Sequence, residues 1–224
     1  MTTYYLIRHG ETEANQSGIL QGHLDVPLSD TGRKQAELAA RALSQVEFDE
    51  IYSSDLCRAM ETARIILAGQ ENKRAAVVNP EEGVREINCG VLQGKTLAEA
   101  EKIWPEVYKE LKRDPLNAPR PGGESYLDFY RRAVAAFERI RESVRRKGLT
   151  EGAVAIVAHG GTIRSLLAYA KGQVVNPASE AVANCSISVV KEEGSSLAIV
   201  KENCVEHLLA LGFDPREKAQ MYRW

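Results

Sequence analysis

The 224-residue chain predicts an α/β fold, a three-layer sandwich with a mostly parallel central sheet and helices on both faces. Three observations carry this prediction. The first half alternates short apolar runs with helical patterns, and such units close into parallel sheets through right-handed crossovers. Two apolar runs, Tyr4 to Ile7 and Ala153 to Ala158, are continuous rather than alternating, as in strands buried on both faces. Both end in polar residues followed by glycine, Arg8-His9-Gly10 and His159-Gly160-Gly161. Open α/β sheets hold their ligands at strand ends of this kind, next to a topological switch point.

The elements follow in order. After the first strand, residues 13–29 are polar and turn-rich, a loop over the strand end. Ser29 or Asp30 can cap a helix to Leu43, with Ala36, Ala39, Ala40 and Leu43 as its apolar stripe. Glu50-Ile51-Tyr52 is a short strand. Ser53, Ser54 and Asp55 offer caps for a helix to Ala68, whose first turn carries Arg58. Ala75 to Val78 reads as a third strand and Val84 to Leu92 as an extended segment. Thr96 to Lys112 has a helical pattern interrupted by Pro105, and Asp114 to Gly123 is irregular. Ser125 opens the longest helix, to Arg146, with Tyr126, Tyr130, Ala133, Phe137, Ile140 and Val144 inward. The Ala153–Ala158 strand, a helix from Thr162 to Ala170, and a hairpin of Ser186–Val190 and Leu197–Lys201 follow. A helix over Val205–Leu211 and a tail to Trp224 complete the chain.

The length suits one domain, residues 1–224, with a full core. Hydrophobic residues make up 44% and charged residues 27%, as in ordinary globular proteins. A net charge of −2 argues against nucleic acid as the partner. No apolar run reaches the length of a membrane span and no signal-peptide pattern opens the chain, so a cytoplasmic location is expected. Cys57, Cys89, Cys185 and Cys204 form neither a CxxC pair nor a zinc spacing, and none begins a Cys-x5-Arg phosphatase loop. Gly90 to Thr96 is one residue short of a P-loop, with Cys89 in place of its first glycine, which argues against ATP binding.

The two glycine-terminated strand ends are the chemical core of the sequence. Taken alone, each histidine reads as an ordinary strand-end residue. Arg58 changes the balance. A cation in the first turn of a helix opposes the helix dipole, and makes better sense beside a bound anion. Arg8 and Arg58 can each bind two oxygens of a phosphoryl group, and an imidazole is a nucleophile toward phosphorus.

Arg8-His9-Gly10-Glu11-Thr12 with Asn15, then Gln21-Gly22-His23-Leu24-Asp25-Val26-Pro27-Leu28-Ser29, resembles the phosphoglycerate mutase-like branch of the histidine phosphatase superfamily. Ser53-Ser54-Asp55-Leu56-Cys57-Arg58-Ala59 is similar to that family's second arginine motif, and Arg85-Glu86-Ile87-Asn88-Cys89-Gly90 to its acid-carrying segment. Pro121-Gly122-Gly123-Glu124-Ser125, Ala158-His159-Gly160-Gly161-Thr162-Ile163-Arg164 and Asn184 extend the likeness over almost the whole chain. The resemblance implies a phosphoglycerate mutase-like fold and a phosphohistidine on His9. Arg8, Arg58 and His159 would hold the phosphoryl oxygens, and Glu86 would act as general acid and then base. Asn15, Gln21, Gly22 and Gly160 would add substrate contacts. The acid phosphatase branch carries its acid directly after the second histidine; here that position is Gly160, so the role falls to Glu86. Gly122 to Ser125 is a helix cap, a pocket edge, or both. His23, Tyr108 and Arg120 are further pocket candidates.

The function so implied is metal-independent hydrolysis of a small phosphorylated metabolite. No cofactor or metal ion is expected, and no membrane or nucleic-acid partner; the remaining protein partner to consider is a second copy, as a homodimer. The main alternative is a cofactor-dependent phosphoglycerate mutase, disfavoured by the short stretch between Glu86 and Glu124. A non-catalytic phospho-ligand-binding relative is disfavoured because both histidines, both arginines and Glu86 are present.

Overall fold

A computed structural model describes residues 1–72 and 74–212. The tail toward Trp224 lies outside the described residues. The described strands form a six-stranded sheet: β1 (Thr2–Arg8), β2 (Phe48–Ser53), β3 (Val78–Pro80), β4 (Ala153–Ala158), β5 (Ile187–Glu193) and β6 (Ser196–Cys204), in the order β3-β2-β4-β1-β5-β6. The first four strands in that order are parallel, while β5 runs antiparallel to β1 and β6 antiparallel to β5. The helices are α1 (Glu13–Gln16), α2 (Asp30–Ala42), α3 (Cys57–Ala68), α4 (Leu97–Ile103), α5 (Pro105–Arg113), α6 (Tyr126–Arg146) and α7 (Gly160–Ala170).

Side chains alternate across the sheet as the two-residue period of a strand requires. Tyr4 and Leu6 of β1, with Val154 and Ile156 of β4, face α6 and α7, meeting Phe137, Ile140 and Leu166. Ile7, Ile51, Ala155 and Val157 face the opposite side, where Ala40, Ala59, Ala63 and Ile66 of α2 and α3 cover them. The three layers of the sequence prediction are therefore present. Burying a side chain such as Phe137 contributes about 1.5–3 kcal/mol. A third apolar group joins Leu92, Ala100 of α4 and Leu111 of α5 to Tyr126 and Phe129 of α6, and so fixes the 86–125 segment beside the sheet. At the sheet end remote from His9, the buried Glu192 carboxylate accepts from Tyr4 Oη (2.8 Å), Arg141 Nη2 (2.7 Å) and Arg145 Nη2.

Several boundaries differ from the sequence reading for local reasons. The third strand is Val78–Pro80 rather than Ala75–Val78: Ala75 makes one bond to Phe48 O (2.8 Å), and pairing begins only where Val78 lies opposite Ile51. Pro105 divides the 96–112 helix in two by occupying the first turn of α5, where its missing N–H is no loss. The loop after β1 contains α1, closed by a capping box between Thr12 and Asn15. Residues 84–92 are not extended throughout, since 3-10 turns occupy 82–84 and 90–92. Residues 206–211 are a 3-10 helix packed on Ala36 and Ala39 of α2.

A glycine permits close approach of another group, and at Gly10 that group is the backbone of Gly32 in the first turn of α2. A Cβ on Gly10 would overlap the Gly32 carbonyl, and a Cβ on Gly32 would overlap the Glu11 carbonyl. The segment that follows the nucleophile candidate is thus seated on the start of α2. Replacing Gly32 by Ala should cost about 1–3 kcal/mol, as overpacking does, and lower turnover by displacing the 9–11 backbone. Urea denaturation with an unchanged midpoint would contradict this seating.

Candidate active site

The β1–β4 pairing places Arg8 opposite Ala158, so His9 and His159 leave neighbouring strands at the same level. Their ring centroids are 5.1 Å apart. They share a cavity of about 130 Å³ with Arg8, Asn15, Gln21, Gly22, Arg58, Glu86 and Gly160. Every site residue predicted from the sequence therefore lines one cavity. The further candidates do not. His23 lies behind the acid segment and donates from Nε2 to Glu86 O (2.8 Å). Tyr108 sits on α5 with Lys112 over its ring. The Arg120 side chain donates to Glu124 O (3.2 Å).

His9 is buried, and its Nδ1 lies 2.7 Å from the Gly10 carbonyl. A carbonyl only accepts, so Nδ1 carries the proton and Nε2 keeps its lone pair. Burial, with Arg58 and Arg8 nearby, holds the His9 pKa well below 6.5. The ring is consequently neutral, as a nucleophile must be. His159 is likewise held well below 6.5 by burial and then by Arg58. Its Nε2 is 2.8 Å from Ser54 Oγ.

Arg58 is almost wholly buried, and burial lowers its pKa to about 10, so it stays charged near neutrality. Its Nη1 and Nη2 donate to Leu24 O (2.7 Å) and Gly22 O (2.8 Å), while Nε has no partner among the described residues. Gly22 adopts φ +50°, and a Cβ there would overlap the Gln93 side chain, so glycine is what brings this carbonyl under Arg58. The cap expected for α3 from Ser53, Ser54 or Asp55 does not form. Leu56 occupies the cap position, and Asp25 Oδ1 accepts from Cys57 N–H (2.6 Å). Arg8 donates to Val182 O (2.6 Å), tying the strand end to the 181–184 loop. Asn15 Oδ1 accepts from Thr12 N–H (3.1 Å) and Asn184 Nδ2 (3.3 Å), leaving the Asn15 amide group as a donor.

Glu86 is pinned by two backbone donors. Ile87 N–H donates to Oε1 (2.9 Å) and Gly161 N–H, in the first turn of α7, to Oε2 (3.0 Å). A Cβ on Gly161 would overlap this carboxylate, whereas one on Gly160 would make only ordinary contact with Arg8. Behind Glu86, Arg132 donates to the carbonyls of Gly83 (2.9 Å), Arg85 (3.2 Å) and Glu86 (3.0 Å). The same guanidinium meets both oxygens of Glu124 at 2.7 and 2.8 Å. Burial opposes the Glu124 charge, but the Arg132 and Asn88 hydrogen bonds outweigh it and set the carboxyl below its ordinary range. In the 122–125 segment the cap is Ser125, which accepts from Asp128 N–H (3.1 Å), while Glu124 turns to Arg132 rather than to the cavity.

Sequence reasoning did not find Ser54, Arg132, Tyr126, Arg164 or Val182 as parts of the site or its support. Tyr126 and Arg164 also line the cavity and are hydrogen-bonded to each other at 2.5 Å. Ser54 directly follows β2, the strand next to β4, which was the available signal. Val182 acts through its carbonyl, which its side chain does not announce.

A sequence profile of the histidine phosphatase superfamily (branch 1) matches residues 4–205. The chain belongs to that superfamily. It is 38% identical over 211 residues to phosphoglycerate mutase-like protein 4 of Arabidopsis thaliana, covering 93% of this chain and 87% of that one. It is 33% identical over 216 residues to a metal-independent phosphoserine phosphatase of the same plant, covering 95% and 86%. Among solved structures it superposes on Bacillus stearothermophilus YhfR with a TM-score of 0.81 and 30% identity, over 93% of this chain and 100% of that one. This histidine phosphatase is a phosphoric monoester hydrolase acting on a small phosphorylated metabolite.

Because His9 and His159 refuse protons that free histidines accept, both rings should stay neutral as pH falls through 6.5. The unfolded chain binds those protons and the folded one does not. Stability should therefore fall below pH 6.5, by about 1.4 kcal/mol per pH unit for each ring until its folded pKa is reached. Titration of the ring-proton resonances by NMR checks this, and a midpoint for either ring at or above 6.5 would contradict it.

Proposed function

We propose that hydrolysis runs through a phosphohistidine on His9. The observation that carries this reading is the His9 ring: neutral, proton on Nδ1, Nε2 available, in one cavity with Arg8, Arg58, His159 and Glu86. In the first step the Nε2 lone pair forms an N–P bond in line with the departing oxygen. The P–O bond breaks, and a proton from Glu86 goes to the leaving alkoxide. In the second step Glu86 takes a proton from water, whose oxygen attacks phosphorus. The N–P bond then breaks, returning neutral His9 and releasing phosphate. Charge on the phosphoryl oxygens persists throughout, so the guanidinium groups act by position and electrostatics. The reading takes residues 1–224 as one domain working without a metal ion in the cytoplasm. All four cysteine thiols are free, as in a reducing compartment.

Enzyme treated with EDTA and incubated with a labelled phosphomonoester should yield an acid-labile, alkali-stable phosphoenzyme, which His9→Ala abolishes. A panel including phosphoserine and phosphoglycerates, scored for phosphate release and isomerisation together, should show hydrolysis dominant. Label surviving in His9→Ala would overturn the mechanism, and isomerisation outrunning hydrolysis would replace phosphatase by mutase.

The acid role has its own test. Glu86→Gln should lower kcat/KM for alkyl phosphates by roughly 10²–10⁴. For p-nitrophenyl phosphate, whose phenolate leaves without a proton, the loss should be much smaller. Equal losses on both substrates would assign the acid to another residue.

A further inference from the structure

His159 presents an accounting problem. It is wholly buried and lines the cavity, its Nε2 faces Ser54 Oγ at 2.8 Å, and its Nδ1 is a buried atom without a partner among the described residues. A neutral imidazole has one N–H, and either nitrogen can carry it. The nitrogen left over by Ser54 is Nδ1, so Nδ1 is the one a ligand in the cavity can satisfy. A phosphoryl oxygen only accepts hydrogen bonds. A lone pair on Nδ1 would repel it; an N–H on Nδ1 would bind it.

We infer that Ser54 is a positioning residue: its hydroxyl donates to His159 Nε2 and so holds the proton on Nδ1, where it can meet a phosphoryl oxygen. The inference rests on the proposal that His159 touches the phosphoryl group. The surroundings of Ser54 favour the donating role. Its Oγ accepts from the Leu56 N–H at 3.4 Å, and no described acceptor other than His159 Nε2 lies within hydrogen-bond reach of its own hydrogen. The fold makes the contact rigid. Ser53 pairs with Val157 in the β2–β4 ladder, and Ser54 N–H continues it by donating to Val157 O (2.9 Å). Ser54 and His159 are thus the residues that directly follow two paired strands. Burial, and then the nearby cation Arg58, favour a neutral ring, in which the tautomer matters, rather than an imidazolium, in which it would not.

The test reads the tautomer directly. In long-range ¹H–¹⁵N spectra of the full-length enzyme, His159 should show a pyrrole-like Nδ1 and a pyridine-like Nε2. Ser54→Ala should shift the ring toward the other tautomer and lower kcat by roughly 100-fold, the scale of one lost oxyanion donor, with a smaller change in KM. Ser54→Thr, which keeps the hydroxyl, should restore the wild-type nitrogen shifts and much of the rate. A pyridine-like Nδ1 in the wild type, or shifts and kcat unmoved in Ser54→Ala, would overturn the inference. If Ser54→Ala does not fold, the wild-type spectrum alone decides. Trapping of the phosphoenzyme is scored separately: its absence from the wild type would remove the proposed mechanism, while the nitrogen shifts would still report on Ser54.

Discussion

The pairing of β1 with β4 is the constraint on which the rest of the structure depends. It joins residues about 150 positions apart in the chain and sets Arg8 beside Ala158. Two neutral imidazoles and Arg8 thereby enter a cavity that Arg58 and Arg164 also line, and among the described residues its lining includes a single carboxylate, Glu86. Withdrawing such cations from water costs several kcal/mol each in the absence of a partner. The protein offsets part of that cost with carbonyls, Leu24 and Gly22 for Arg58 and Val182 for Arg8. Carbonyl dipoles steady a cation without cancelling its charge. The remaining positive potential suits a phosphate dianion, and it adds to burial, the larger effect, in keeping the histidines unprotonated. The proposed nucleophile activation and anion binding thus draw on the same cations.

Glu86 belongs to a different structural system. It comes from an irregular segment, where no strand ladder can hold the backbone. The missing order is supplied by Arg132 on α6, which gathers the carbonyls of Gly83, Arg85 and Glu86, and by Glu124, which holds that guanidinium with both carboxylate oxygens. The α7 amide of Gly161 then receives the carboxylate. The carboxylate proposed to give and take the proton is in this way fixed at its backbone and its head, with Arg132 and Gly161 both on helices.

These two systems differ in how far the sequence reveals them. The strand ends were readable because continuous apolar runs followed by His-Gly are local signals, and because Arg58 conflicts with its own helix dipole. The resemblance in motifs then brought Glu86, Asn15, Gln21 and Gly22 to the same place. Contacts made through carbonyls, such as those of Val182 and Gly22, carry no side-chain signature. Arg132 carries no local signal of its role, which exists only after α6 has packed beside residues 83–86. The glycine at position 10 is visible in the sequence, but only the tertiary position of α2 shows that its close neighbour is Gly32. The third strand slipped by a few residues because pairing with β2, rather than local apolarity, sets its start.

The division also runs through the cavity itself. The groups proposed to meet the phosphoryl oxygens are set by strand ends, first turns of helices and their carbonyl props. The rest of the cavity lining includes Ile19, Leu20, Ile87, Tyr126, Arg164 and Val182, contributed by loops, the acid segment and two helices. Among the described residues, Arg164 has only neutral hydrogen-bond partners there, the Pro177 and Ser179 carbonyls (both 3.3 Å) and Tyr126 Oη. With no carboxylate among these partners, the Arg164 guanidinium adds its charge, from the middle of α7, to the positive potential that Arg8 and Arg58 bring to the same cavity.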